Sequence, residues 1–320
     1  MASPSQPNKW NIRGKIFSLQ YQTIGRLAQC NYYTARAYHY HKLRLLDSQH
    51  QDLPLLIYQM GKVGSTTVEK ALRDAKIGRR LYSVHYLTPD WLLKYDQKRK
   101  EEFTTTKQNK LKYVWTAQYV SKLVKEQLQK GARWQIVTLV RDPVARNLSS
   151  FFQHIRIESP VSEKEYKLKS REYDFEVVVK DDNLKDVIDI FFERSRHDTP
   201  LTFFDREFKG ILNIDIFESD FATEKGYQIL HTDQADVLLI RLEDLNHCAT
   251  EALKAFLNID NLELRSANIG GQKEYANAYH QFKRAIVLPE SYLDKMYNSK
   301  YTRHFYTEAE IEKFRTRWLK

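Results

Sequence analysis

Cysteine is scarce: Cys30 and Cys248 are the only two in 320 residues, and neither has CxxC or metal-ligand spacing. That excludes a disulfide scaffold and points to a reducing compartment. No apolar run approaches the roughly 18 residues of a membrane span, and the polar opening from Met1 to Trp10 has no signal-peptide core, so the expected location is cytoplasmic. Internal repeats and low-complexity tracts are lacking, which excludes solenoids and arrays. Acids are the minority, with 41 Asp and Glu against 51 Lys and Arg, and the net charge of +10 asks for an anionic partner.

What is present is a globular composition, 42% hydrophobic and 29% charged. The length suits one α/β domain with appendages as well as two domains. Residues 1–50 hold seven Lys or Arg against one acid, Asp47, so most of the excess charge lies there. This stretch is expected to be a basic helical extension, either a solvated appendage or an element lying on an anionic membrane surface.

From Leu53 onward the pattern is of short apolar runs alternating with amphipathic stretches. Strands are expected at Leu53–Gln59, Arg80–His85, Lys112–Thr116, Gln135–Val140, Tyr227–Leu230 and Asp236–Ile240. Helical periodicity follows at Thr66–Ala75, with Thr66 and Glu69 spaced as a capping box, and at Thr307–Leu319. Buried strands separated by helices imply a parallel sheet covered on both faces. Residues 156–234 show no clear strand before Tyr227 and are expected to form a mostly helical insertion.

Between the first strand and its helix lie Gly61, Lys62, Val63, Gly64, Ser65, Thr66 and Thr67. Glycines permitting close approach, free helix N–H groups, a lysine and three hydroxyls together form an anion cradle. It is not a Walker A loop, in which the lysine follows the second glycine; here Lys62 precedes Gly64. After the fourth strand comes Arg141-Asp142-Pro143, in which Asp142 suits an N-cap and Pro143 the first helical position. Arg141 then stands at the carboxyl end of a strand, where open α/β sheets bind ligands, and Ser149 follows two turns into the helix. A guanidinium and a hydroxyl there suit a phosphate.

These two segments resemble the motifs of the sulfotransferase superfamily. Lys62-Val63-Gly64-Ser65-Thr66 is similar to its 5′-phosphosulfate loop, and Arg141 with Ser149 eight positions later is similar to its 3′-phosphate motif. Leu239 to Leu245 is similar to a late strand and Glu-Asp-Leu turn of that superfamily, with Arg241 and Glu243 read as framework. The resemblance implies an α/β fold with a P-loop-like central parallel sheet flanked by helices, over residues 51–320, with the extension and the insertion as additions. It further implies transfer of a sulfuryl group from 3′-phosphoadenosine 5′-phosphosulfate (PAPS) to an acceptor hydroxyl, leaving adenosine 3′,5′-bisphosphate (PAP), without a metal. In that reading Lys62 assists the leaving group, residues Gly61 to Thr67 hold the phosphosulfate, and Arg141 and Ser149 hold the 3′-phosphate. Lys273, in the Gly270-Gly271-Gln272-Lys273 loop, is a further candidate to bind the nucleotide.

Ser83-Val84-His85-Tyr86 resembles the Glu-Val-His-Phe segment of heparan-type carbohydrate sulfotransferases, but Ser83 replaces their catalytic glutamate. His85 is therefore the expected base, with Asp90 a second candidate and Gln118 a candidate to bind substrate. The stretch Tyr297-Asn298-Ser299-Lys300-Tyr301 is similar to bacterial proteins described as capsular polysaccharide synthesis proteins, which implies a carbohydrate context, and a carbohydrate is the expected acceptor. The alternatives are another phosphate-dependent transferase or kinase of capsular polysaccharide synthesis, or a non-enzymatic protein binding anionic surfaces through residues 1–50. Nucleic acid is not an expected partner.

Overall fold

The computed structural model describes residues 31–101, 103, 108–162, 165–170, 176–180, 184–264 and 286–319. The chain divides into two units, residues 1–52 with 87–126, and residues 53–86 with 127–320.

In the described part of the first unit are α1 (Tyr32–Asp47), α3 (Pro89–Glu101) and most of α4 (Gln108–Gln129). Asn31 caps α1 by accepting from the Tyr33 N–H. Tyr32, Ala35, Leu111 and Trp115 form its core. An Arg36–Asp96 ion pair at 3.3 Å and a Trp115 Nε1 donation to Asp96 Oδ1 at 3.2 Å tie the three helices together. The strand expected at Lys112–Thr116 is instead a piece of α4. Leu111, Val114 and Trp115 are buried at i, i+3 and i+4 and Val120 and Val124 at i and i+4, helical spacings that run on well beyond the five residues read as a strand. Gln118 accordingly lies inside a helix, where its Oε1 accepts from the Tyr40 hydroxyl at 2.9 Å. Asp90 opens α3 in this same unit.

The second unit is α/β, built on a five-stranded, mostly parallel sheet flanked by helices. Its strands are β1 (Leu55–Tyr58), β2 (Leu81–Val84), β3 (Trp134–Val140), β7 (Tyr227–His231) and β8 (Ala235–Arg241), in the order β2-β1-β3-β8-β7. Only β7, at the edge, is antiparallel. The central strands read as continuous apolar runs because both faces are covered: every residue of β1 is fully buried. Each such side chain contributes about 1.5–3 kcal/mol.

Helix α2 (Ser65–Asp74) follows β1 and α5 (Pro143–His154) follows β3. The N-cap of α2 is Gly64, so the Thr66–Glu69 capping box does not form; Glu69 Oε1 instead accepts from Arg73. The insertion differs from the helical expectation too. It opens with an antiparallel sheet, β4 (Ile155–Ser162), β5 (Glu165–Ser170) and β6 (Glu176–Lys180), before α6 (Leu184–Arg194) and α7 (Thr199–Phe203), which runs on into a π-helical turn at Phe204–Lys209. Apolar residues alternate with charged ones in β4 and β5, and in β6 three valines stand between Glu176 and Lys180, so the short strands are concealed in a charged stretch. Helix α8 (Leu245–Leu257) follows β8. The chain then closes with α9 (Glu290–Tyr297), α10 (Lys300–Phe305) and α11 (Glu308–Trp318). The last is held by the Thr307–Glu310 capping box and buries Ile311, Phe314 and Trp318. Among the described residues no helix is long and apolar enough to cross a membrane.

Candidate functional site

Strand order places the site. From β1 the chain crosses to β2 on one side, then returns to β3 on the other, so the loops after β1 and β3 part at a topological switch point. Tyr58 pairs with Val84, so Gln59 and His85 leave the sheet side by side. β3 runs further than β1 and carries Arg141 up to the level of the Lys62 loop.

The loop has an unusual backbone. Lys62 adopts φ +76°, a left-handed conformation that costs an L-residue about 1–2 kcal/mol. Two arginines brace it: Arg141 Nη1 donates to the Lys62 carbonyl at 3.0 Å, and Arg146 Nε to the Gly61 carbonyl at 3.0 Å. Because the peptide is planar and trans, the N–H groups of Lys62 and Val63 point away from those guanidiniums. Gly64, at φ +88°, is required on two counts, since a Cβ there would also stand 2.4 Å from Leu242 Cδ1. Gly61 is different: a Cβ there would stand 3.8 Å from His85 Nε2, an ordinary contact distance, which places the residue directly beside that nitrogen. Val63 is fully buried and anchors the loop, Thr67 is buried, Ser65 is partly buried and Thr66 is exposed.

Arg141 begins a turn that is fastened on every side. Its N–H donates to the Tyr301 hydroxyl at 3.0 Å, while that hydroxyl donates to the Arg141 carbonyl at 2.9 Å. Asp142 caps α5, its Oδ1 accepting from the N–H groups of Val144 and Ala145 and from the Tyr297 hydroxyl. The Asp142 N–H donates to Glu243 Oε1, and Glu243 Oε2 accepts from Tyr306. Burial pushes both carboxyls above their ordinary range, opposed by these donors. Arg241, also buried, donates to Asp244, Glu310 and the carbonyls of Phe305 and Thr223. Arg241 and Glu243 are framework, as read from sequence.

Sequence reading missed Arg146. It is 5% exposed and joins the loop to α5, and its Nη1 donates to Asn147 Oδ1. Asn147 in turn donates to the His197 carbonyl and the Tyr292 hydroxyl. An arginine five residues after Arg141 in a freshly capped helix was the available signal. Ser149, three residues further, shares the Arg146 face of α5 and is partly buried.

His85 lies beside the loop with Nδ1 at 3.0 Å from the Gln59 carbonyl and 2.9 Å from Gln59 Oε1. A main-chain carbonyl only accepts, so Nδ1 carries the proton and Nε2 the lone pair. Burial, and then the positive charges of Arg146 and Lys62, hold the imidazole below its usual range, against the Gln59 hydrogen bond and Glu69, which raise it. His85 is therefore neutral at pH 7. Lys273 lies outside the described residues.

Fixed donors, a lysine on a strained loop, two guanidiniums and a neutral imidazole thus meet at one sheet edge, an arrangement able to hold an anion and accept a proton beside it. No curated protein and no solved structure matches the chain. Residues 179–307 match a family model described as "Putative capsular polysaccharide synthesis protein". The matched segment supplies Glu243, Tyr297, Tyr301 and Tyr306 to the Arg141 turn, so the chain's likeness to polysaccharide-synthesis proteins runs through the residues that hold this site together.

Proposed function

We propose that the chain is a sulfotransferase that moves a sulfuryl group from PAPS to a hydroxyl of a carbohydrate or polysaccharide. The observation that carries this reading is the hydrogen bond from Arg141 to the Lys62 carbonyl, which unites the two motif segments at the switch point. The residues suit the donor's two anionic ends. The loop from Gly61 to Thr67 offers N–H and hydroxyl donors to a 5′-phosphosulfate, with Gly64 needed for its shape. Arg141, whose Nε and Nη2 have no hydrogen-bond partner among the described residues, and Ser149 on α5 are assigned to the 3′-phosphate.

PAPS supplies an activated sulfur whose bond to the bridging phosphate oxygen breaks as the acceptor oxygen bonds to sulfur. His85 Nε2 takes the acceptor proton, and Lys62 balances the negative charge left on the bridging oxygen. The carbohydrate acceptor follows from the polysaccharide-synthesis likeness of residues 179–307. A protein synthesising polysaccharide from cytoplasmic nucleotide donors would work in the cytoplasm, with residues 1–50 as an extension able to touch an anionic membrane surface. A kinase reading finds no lysine followed directly by Ser or Thr in the loop.

Arg141→Ala tests the assignment. A charge-assisted hydrogen bond is worth about 1.5–3 kcal/mol, so PAP affinity, followed by titration calorimetry, is expected to fall roughly ten- to 150-fold for each such hydrogen bond removed. Equal affinity in the variant and the wild type would remove Arg141 from the 3′-phosphate site.

A further inference from the structure

Gln59 has no part in the anion cradle, yet it is fully buried at the carboxyl end of β1, where an apolar residue would continue the strand. Its amide oxygen faces His85 Nδ1 at 2.9 Å, beside its own carbonyl at 3.0 Å. The amide's other end, Nε2, is buried with no hydrogen-bond partner among the described residues. A stranded buried donor is unfavourable, and such groups call for an explanation outside packing.

The orientation follows from the ring. Because the main-chain carbonyl requires a proton on Nδ1, only the oxygen end of the amide can face it; turning the amide over would set two donors against each other. The amide is thus held in the orientation that leaves its nitrogen unpaired, and the gain is a second acceptor on the imidazole.

We infer that Gln59 is a positioning residue: its main-chain and side-chain oxygens together lock His85 as the Nδ1–H tautomer and aim the Nε2 lone pair towards Gly61, where the acceptor proton is taken. This rests on the assignment of His85 as base under Proposed function. A neutral amide in this place holds the ring without adding charge. A carboxylate would stabilise imidazolium and hold the base protonated. Among the described residues, the charged groups acting on the ring include Lys62 in the loop, Arg146 on α5 and Glu69 on α2. All three are common to the wild type and the residue 59 variants, so the effect of residue 59 is read by difference.

The test uses the full chain with isotopically labelled histidine, the His85 signals being assigned against a His85→Asn variant. NMR of the imidazole nitrogens in the wild type is expected to show Nδ1 protonated and Nε2 unprotonated at neutral pH, with a titration midpoint below about 6.5. Gln59→Glu should raise that midpoint by about one pH unit or more, and with it the acid limb of the rate profile. Gln59→Leu, which keeps only the main-chain acceptor, should leave the Nδ1–H form dominant and let a minor Nε2–H form appear. A wild-type ring protonated mainly on Nε2, or a Gln59→Glu midpoint that does not move, overturns the inference. The wild-type spectrum decides the tautomer even where a variant fails to fold. Nucleotide binding is a separate readout: the expected NMR results without PAP binding would keep the Gln59–His85 pair and discard the sulfuryl donor.

Discussion

Replacing Lys62 with Ala is expected to reduce sulfuryl transfer by at least about 10³-fold, to the background of the assay, while the fold survives. One preorganised donor aimed at developing charge is worth about 10²–10³ in rate, and a full ammonium opposite a phosphate leaving group stands at or above the upper end of that range. The variant is a clean one for a structural reason. Lys62 is at φ +76°, and alanine, like lysine, has a Cβ, so the backbone strain is the same in both proteins and the comparison isolates the ammonium. The Lys62 carbonyl, which accepts from Arg141, is untouched. Thermal unfolding within a few degrees of wild type, together with lost turnover of labelled PAPS, is the expected pair of results. Turnover within threefold of wild type would remove Lys62 from the chemistry.

His85→Ala is expected to lower the rate about 10²–10⁴-fold, the usual range for a general base. The pH dependence sharpens this. Burial depresses the folded-state pKa of His85 below its unfolded value of about 6.5, so the working neutral form dominates above pH 6.5 and the wild-type rate falls only as pH drops through the lower folded value. The variant should lose that acid limb. Stability has the same sign: a ring kept neutral by the fold contributes fully above about pH 6.5, and that contribution is lost as acid protonates the ring. Denaturant midpoints of wild type and variant should therefore converge or cross on acidification below pH 6.5. A variant with an unchanged rate and an unchanged profile would make His85 a structural histidine.

The parts of this architecture that were legible in sequence are those whose signal is local. β1 is a continuous apolar run and β3 and β8 are built largely of apolar residues, and Asp142-Pro143 marks the start of α5 by capping chemistry alone. The motif residues were legible for the same reason, since Lys62 with Gly64, and Arg141 with Ser149, are near neighbours in the chain. Lys112–Thr116 was misread because five apolar-rich residues fit a strand or a helix turn equally well; only the buried set from Leu111 to Val124 separates the two. The sheet of β4 to β6 was hidden by the charged residues that alternate through β4 and β5 and bracket the three valines of β6. What could not be read depends on strand register. Gln59 meets His85 because Tyr58 pairs with Val84, and Arg146 meets the Gly61 carbonyl because β3 outruns β1. Nor does any residue type mark Lys62 as left-handed.

The chemical identity of the anion proposed to lie between the Lys62 loop and Arg141 decides the reaction. Titration calorimetry of the full chain with PAP and, separately, with ATP and magnesium tests it most directly. Selective binding of PAP, with ATP at least tenfold weaker, is the predicted result; ATP binding as tightly as PAP, or no binding of PAP at all, would contradict it.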